Sequence, residues 1–269
     1  MSAFDRAVAV ESLGEGRYRA CIDPAWTGPA SPNGGIVCAT MVRAAEAELG
    51  GGPPPRMITA HFLEPAPNGP AEIEVEVLRT GGRVAAAEAR LHHQGKLVCQ
   101  TTVIFSAPRR QEIELLASPP QAPPPEQVPV LADAVLEGFP PLFRQVEMRP
   151  VFSDPLSFGN QDPVAGGWIS VRDDDAPFDA ARLCAICDLW WPALFGRMRR
   201  PGGMPTLQLT VHVRSTAAAA RPPVLARFQT RSVVEGHAEE AAEIWSADGT
   251  LLAESKQMAL VPEESAAVW

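Results

Sequence analysis

The sequence lacks any run of about 18 apolar residues, so no segment is long enough to span a membrane as a helix. It shows no secretory leader either. Cysteines are few and odd in number, five in all, which is typical of a reducing compartment and not of a disulfide framework. We therefore expect a cytoplasmic protein with no membrane span.

Basic residues are outnumbered: 23 Lys and Arg stand against 32 Asp and Glu, giving a net charge of -9. Such an acidic chain disfavours sequence-independent binding to nucleic acid, although a local basic patch could still hold a small anion. Apolar residues make up 46% and charged residues 20%, which indicates a globular protein with a sizeable core.

Several site patterns are also missing. The pair Cys184 and Cys187 has C-x-x-C spacing, but no second pair and no nearby His would complete a zinc site, so we interpret both as core residues. No G-x-S-x-G is present, which disfavours a serine nucleophile on a strained turn. We expect neither a metal nor a cofactor.

A proline-rich stretch, residues 118–125, divides the chain. Proline removes backbone donors and favours extended conformations. We interpret 107–127 as a linker between an N-terminal domain, 1–106, and a C-terminal domain, 128–269.

The two parts resemble each other at an offset of 154 residues, which matches Gly82 with Gly236 and Gly95 with Gly249. Gly95 and Gly249 each lie in a turn between strand-like runs, as in antiparallel hairpins. Upstream of these hairpins, the strand-like segments 58–65 and 207–215 each carry one His.

Each part also has one apolar helix candidate. The first covers 36–50 with Asn33 as N-cap, and the second covers 180–195 with Asp179 as N-cap and with Pro192 ending or kinking it. A helix that is apolar on nearly every face must be surrounded by protein. An antiparallel sheet that wraps each helix meets this need, so we predict an α+β double hotdog, with the two sheets joined side by side.

With these elements in place, the chain resembles the double-hotdog acyl-CoA thioesterases, the family of acyl-CoA thioesterase II and its thioesterase-like relatives. The resemblance covers most of the chain outside the linker. The residues that carry it are Pro32-Asn33-Gly34-Gly35, Thr59-Ala60-His61-Phe62-Leu63-Glu64-Pro65, Gly167-Trp168, the helix with Asp188, Pro205-Thr206-Leu207, Thr210-Val211-His212 and Ser255-Lys256-Gln257.

The resemblance implies that the chain hydrolyses an acyl-CoA or a related thioester. It also implies a catalytic set of Asp188 on the second helix, Gln257 on the last strand and Thr206 on an intervening strand. In that family, such a set orients a water for attack on the thioester carbonyl. The resemblance further implies self-association, as a homodimer or a higher homo-oligomer.

Asp188 also stands out from the residues alone, because it is the only charged residue between Arg182 and Arg197. An unpaired buried carboxylate is costly, so it is either hydrogen-bonded for structure or kept for chemistry. Apolar surroundings would raise its pKa and suit it as a general base for water. Gln257 can accept from a water and donate to a carboxylate at once, although it could equally face solvent on a sheet.

The substrate-binding candidates are Gly34, Gly35, His61 and Trp190. The two glycines begin a helix, where free N–H groups could polarise a carbonyl oxygen, or they could simply allow close packing. His61 has a small prospect of a direct role. Trp190 suits the core or the wall of an acyl pocket.

The first part of the chain lacks a copy of the catalytic set. Shifting Gln257 by the repeat offset lands on Val103, and shifting Asp188 lands between Gly34 and Val37, where there is no acid.

Two alternatives to thioester hydrolysis stay open. Hydration or dehydration of an acyl-CoA would use a paired Asp and His, but no D-x-N-x-x-H is present. A catalytically silent acyl-binding protein would need no such set.

Overall fold

In the computed structural model, which describes residues 1–154, 158–159, 161–199, 202–215 and 220–262, one antiparallel sheet contains twelve strands. In chain order the strands are β1 (Val10–Gly14), β2 (Arg17–Ile22), β3 (Pro55–Phe62), β4 (Gly69–Arg79), β5 (Val84–His93), β6 (Lys96–Ser106), β7 (Val146–Pro150), β8 (Val164–Val171), β9 (Thr206–Val213), β10 (Val224–Val234), β11 (His237–Trp245) and β12 (Leu251–Leu260).

The order of strands across the sheet is β1-β2-β4-β5-β6-β3-β9-β12-β11-β10-β8-β7. The two halves of the chain meet where β3 pairs with β9, with Thr59 opposite Thr210. Their hydroxyl oxygens lie 3.1 Å apart at this junction. The predicted α+β double hotdog, with its two sheets joined side by side, is therefore confirmed.

Three α-helices accompany the sheet in the described residues: α1 (Ala3–Ala7), α2 (Gly34–Leu49) and α3 (Ala180–Ile186). As predicted, Asn33 caps α2, since its Oδ1 accepts a hydrogen bond from the Ile36 N–H at 3.1 Å. Gly50 ends α2 in the left-handed region, at φ 66°. Alternate residues of β5, among them Ala87 and Leu91, are fully buried where this strand contacts α2.

The predicted second helix over 180–195 is wrong in its length. Asp179 caps α3 as expected, with its Oδ1 accepting from the Arg182 N–H at 2.9 Å, but α3 ends at Ile186. Asp188 therefore lies in a turn just past the helix, where its N–H donates to the Ala185 carbonyl at 2.9 Å. Pro192, which has no N–H, could not have continued the helix by donating to the Asp188 carbonyl.

Both predicted hairpin turns are present. Gln94 and Gly95 connect β5 to β6 with φ of 49° and 78°, and two successive positive values are typical of the turn that suits a twisted hairpin. Gly249, at φ 85°, lies in the turn between β11 and β12.

Residues 107–124 contain neither helix nor strand. The later part of this segment packs on the second half of the chain, because the Trp168 indole donates to the Pro123 carbonyl at 2.8 Å. The linker and the domain limits stay predictions, and residues 263–269 of the predicted second domain lie outside the described residues. Across the described part of the chain, every helix is too short or too polar to cross a membrane.

Candidate active site

A cavity of about 270 Å³ opens where the two halves of the chain meet. Its walls come from the start of α2, the end of β3, the turn after α3, and strands β9, β11 and β12. Five of the residues singled out from the sequence lie on these walls: Gly34, Asp188, Trp190, Thr206 and Gln257.

Asp188 is held by the start of α2. Its Oδ2 accepts hydrogen bonds from the Gly35 N–H at 2.8 Å and from Asn33 Nδ2 at 2.9 Å. Asn33 Nδ2 also donates to the Asp188 backbone carbonyl at 2.7 Å. Asn33 thus supplies the donor that Pro192, which has no N–H, cannot give to this carbonyl.

Glycine is required where α2 meets the turn. A Cβ on Gly35 would lie 2.8 Å from the Asp188 Cβ and 2.9 Å from the Ala185 carbonyl oxygen, which is closer than real Cβ contacts. A Cβ on Gly34 would lie 3.2 Å from Asp188 Oδ2. Gly34 reaches the cavity wall, whereas the Gly35 N–H is already used by the carboxylate.

Burial raises the pKa of Asp188 to about 6, although the hydrogen bonds from Gly35, Asn33 and Gly34 oppose the shift. Desolvation penalises the charged form, and the donors at the helix start favour it. The net result is a carboxylate that is mostly ionised at neutral pH and basic enough to take a proton from water.

Gln257 and Thr206 form a second polar group on the cavity wall. The Thr206 hydroxyl donates to Gln257 Oε1 at 3.3 Å. The two residues lie on the paired strands β12 and β9. Within the described residues, no direct hydrogen bond joins Gln257 to Asp188, and the two side chains share the cavity instead.

Glu240 on β11 completes this polar group. Its Oε1 accepts from Gln257 Nε2 at 3.0 Å, while its Oε2 accepts from the Ala193 N–H at 2.6 Å and from the Thr230 hydroxyl at 3.3 Å. The residue is only 7% exposed. Burial, aided by the charge of Asp188, raises the pKa of Glu240 to about 7.

The strand register explains why Glu240 faces the cavity. It stands opposite Gln257 in the β11–β12 pair, so both side chains lie on the inner face. The preceding residue, Glu239, faces outward and forms an ion pair with Lys256 at 3.0 Å. In the first half of the chain, the corresponding pair on β5 and β6 is Ala87 opposite Val103, and both are fully buried.

Aromatic rings form part of the apolar wall. The Trp190 ring lies 4.8 Å from the Trp191 ring and stacks against Phe228 at 6.4 Å, measured between centroids. Phe62 and Phe143 also line the cavity. An apolar acyl group would find dispersion contacts on several sides.

The structure does not bring His61 to this site. His61 lies on β3 with an exposed side chain and does not line the cavity, because its neighbour Phe62 takes the inward position. In the described residues, no cluster of three or more His, Cys, Asp or Glu side chains is arranged to hold a metal ion.

Two residues that contact the predicted catalytic set are not predicted as site residues by the sequence. Asn33 is predicted as a helix cap and belongs to the segment Pro32-Asn33-Gly34-Gly35, which carries the resemblance, but its bond to Asp188 joins positions that are 155 residues apart. Glu240 lies in the run Glu239-Glu240, which reads as an exposed polar stretch. The inward periodicity of Ala238, Glu240 and Ala242 was the one available clue.

Comparison with known proteins gives consistent results for the whole chain. Residues 22–106 match the model of the acyl-CoA thioesterase N-terminal domain, and residues 118–261 match that of the acyl-CoA thioesterase C-terminal domain. Among curated proteins, a thioesterase-like protein, TwmA from Talaromyces wortmannii, is 31% identical over 109 residues. That match spans 40% of this chain but only 31% of the fungal protein.

Two solved structures are similar over nearly the full length. A conserved protein of unknown function with a hot dog fold from Alicyclobacillus acidocaldarius has a TM-score of 0.88 at 25% identity, covering 98% of this chain and 99% of that one. A candidate thioesterase II from Thermobifida fusca has a TM-score of 0.84 at 27% identity, covering 98% of each chain.

Proposed function

This chain belongs to the acyl-CoA thioesterase family, and we propose that it hydrolyses acyl-CoA thioesters with a water activated by Asp188 and oriented by Gln257 and Thr206. The observation that carries the proposal is the meeting of these three side chains on one aromatic-walled cavity, although they come from a turn and two strands that are distant in sequence.

Each residue has a distinct role in this reaction. Asp188 Oδ2 is tied to the start of α2, so Oδ1 takes the proton from the attacking water. The water oxygen bonds to the thioester carbonyl carbon, and the C=O π electrons move onto the carbonyl oxygen. When the carbonyl re-forms, the C–S bond breaks and Asp188 passes the proton it took to the thiolate, so that the CoA thiol and the free acid leave. Gln257 and Thr206 hold the water and the carbonyl in line.

Binding is assigned to the cavity wall. Gly34 allows the thioester to approach the start of α2, and Trp190 contacts the acyl chain. The Gly35 N–H donates to Asp188, so its part in substrate binding is indirect. A contact between His61 and the substrate stays a prediction.

The test is thiol release over a panel of acyl-CoA thioesters, comparing the parent protein with Asp188→Asn. The amide keeps the shape of the side chain but removes the base, so we expect kcat to fall by about 10²–10⁴ with little change in KM. Asp175→Asn, an equivalent change at an exposed position, is the matched control.

Three results would contradict the proposal in different ways. Parent-like turnover by Asp188→Asn would remove Asp188 from the mechanism. Release of no thiol from any acyl-CoA, combined with measurable binding, would indicate a silent acyl-binding protein. Hydration of an enoyl-CoA without thiol release would indicate hydratase chemistry on the same scaffold.

A further inference from the structure

Glu240 is a buried carboxyl group for which the proposed hydrolysis has no direct use. It is 7% exposed and accepts three hydrogen bonds, one of them from Gln257. A structural role alone would be satisfied by the bonds from Ala193 and Thr230, both of which end on Oε2. The bond between Oε1 and Gln257 links the carboxyl group to the water-orienting residues.

The direction of each hydrogen bond in the series Ala193–Glu240–Gln257–Thr206 is fixed by the first donor. The Ala193 N–H can only donate, so Glu240 Oε2 accepts. When Glu240 is ionised, Oε1 also accepts, and Gln257 must present its Nε2 at 3.0 Å. The amide oxygen of Gln257 then faces Thr206 and receives the hydroxyl proton at 3.3 Å.

A proton on Oε1 reverses this order. A protonated Glu240 would donate to Gln257, which would have to turn its amide oxygen toward Glu240 and its Nε2 toward Thr206. The donors and acceptors that Gln257 and Thr206 offer to the cavity would be exchanged. A water that was placed for attack by the first pattern would meet the wrong groups in the second.

We propose that Glu240 is a positioning residue: its ionised carboxylate sets the amide orientation of Gln257, and through it the direction of the Thr206 hydroxyl, that hydrolysis requires. The inference rests on the proposed thioester hydrolysis. It adds to that reaction a fourth residue, which touches neither the water nor the substrate.

The surroundings of Glu240 make its ionisation sensitive to pH. Burial raises the pKa of Glu240 to about 7, and the charge of Asp188 across the cavity adds to the shift. The other groups that face it are uncharged: Ala193 on the turn after α3, Thr230 on β10 and Gln257 on β12. Within the part of the chain that the structure describes, Asp188 is thus the one neighbouring charge whose own titration also changes that of Glu240.

Glu240→Gln tests the proposal in kinetics. The Oε1 of the new amide can keep accepting from Ala193 and Thr230, but its Nε2 must then donate toward Gln257 and impose the reversed order. We expect kcat to fall about 10- to 100-fold, with KM nearly unchanged and the melting temperature equal to that of the parent or higher. Glu239→Gln, the same change on the outer face of β11, is the matched control.

The pH profile separates positioning from structural support. With both Asp188 and Glu240 required as anions, log(kcat/KM) of the parent plotted against pH should approach a slope of about two below pH 6. In Glu240→Gln one ionisation is gone, so the slope should be about one. A parent-like kcat, or an unchanged slope, would overturn the proposal.

A second measurement works without turnover. The side-chain amide signals of Gln257 in ¹⁵N NMR can be assigned by their loss in Gln257→Ala. In the parent they should shift as pH crosses about 7, and in Glu240→Gln they should not. If no acyl-CoA is hydrolysed, the proposed function fails, but this titration still tests the coupling of Glu240 to Gln257. Amide signals that do not shift with pH in the parent would overturn the coupling itself.

Discussion

Asp188 keeps its carboxylate in surroundings that oppose its charge. Leu189 and Cys187 beside it are buried, and the donors from Asn33 and Gly35 only partly offset the loss of water. A half-buried carboxylate just past the end of a short helix is therefore both a candidate base and a source of instability.

The raised pKa of Asp188, about 6, predicts the acid side of the activity profile. We expect kcat/KM to decline from about pH 7, where Glu240 gains a proton, and to fall more steeply below about 6, because a protonated Asp188 cannot accept a proton from water. Initial rates of thiol release in buffers from pH 5 to pH 8 of constant ionic strength would check this. A profile that stays flat down to about pH 5 would exclude a base with this pKa.

The stability of the folded protein should decrease as pH rises through about 6, whereas its activity should increase. Since folding raises the pKa of Asp188 from 3.8 to about 6, its contribution to the free energy of unfolding is full below about pH 4 and is lost as pH rises through 6. Asp188→Asn removes this loss, so the variant should melt at or above the parent at pH 7.5 and converge with it toward pH 4.5. A lower melting point for the variant at pH 7.5 would mean that the charge is structural.

At the scale of elements, the site depends on the start of α2 lying against the turn after α3. Asn33 serves both, because its Oδ1 caps the helix while its Nδ2 holds the Asp188 side chain and carbonyl. Gly35 permits this distance, since any side chain there would meet Asp188 and Ala185.

Two substitutions of Asn33 separate the cap from the bonds to Asp188. Asn33→Asp keeps a good cap but replaces the donor by a second carboxylate, which should raise the pKa of Asp188 and move the acid limb of the rate profile to higher pH. Asn33→Ala loses both functions, so it should also cost about 1 kcal/mol of stability. Melting curves and pH profiles of both variants are the measurement, and an unshifted acid limb in Asn33→Asp would contradict this role of Nδ2.

At the scale of the whole molecule, the site is shared between the halves. Asn33 and Gly35 come from the first half, while Asp188, Glu240 and Gln257 come from the second. The β3–β9 pair and the contact of α2 with α3 hold these groups together, and residues 107–124 add no helix or strand to the junction. Self-association of the chain as a homodimer stays a prediction.

Cleaving the chain between its two halves should therefore leave the enzyme active. A specific protease site inserted after the exposed Glu112 would give two fragments. We expect them to co-elute in size exclusion and to keep most of the thiol release, because the sheet between β3 and β9 is unbroken. The fragments purified separately should be inactive; an active C-terminal fragment alone would show that α2 does not contribute to the site.

Local chemistry alone was enough to predict much of this protein. The caps at Asn33 and Asp179 and the glycine turns of the hairpins follow from neighbouring residues, and each is present in the structure. Asp188 could be singled out because a lone charge in an apolar stretch is costly wherever that stretch is buried.

Only the tertiary structure decided which side chains face the cavity, because strand pairing and register control that. A run of two glutamates does not show which one faces inward, and the register of β11 on β12 puts Glu240, not Glu239, beside Gln257. The same alternation turns His61 away from the cavity and Phe62 toward it. The Asp188 carbonyl, just past the end of α3, receives its donor from Asn33 in the other half, and a hydrogen bond across 155 positions leaves no trace in the local sequence.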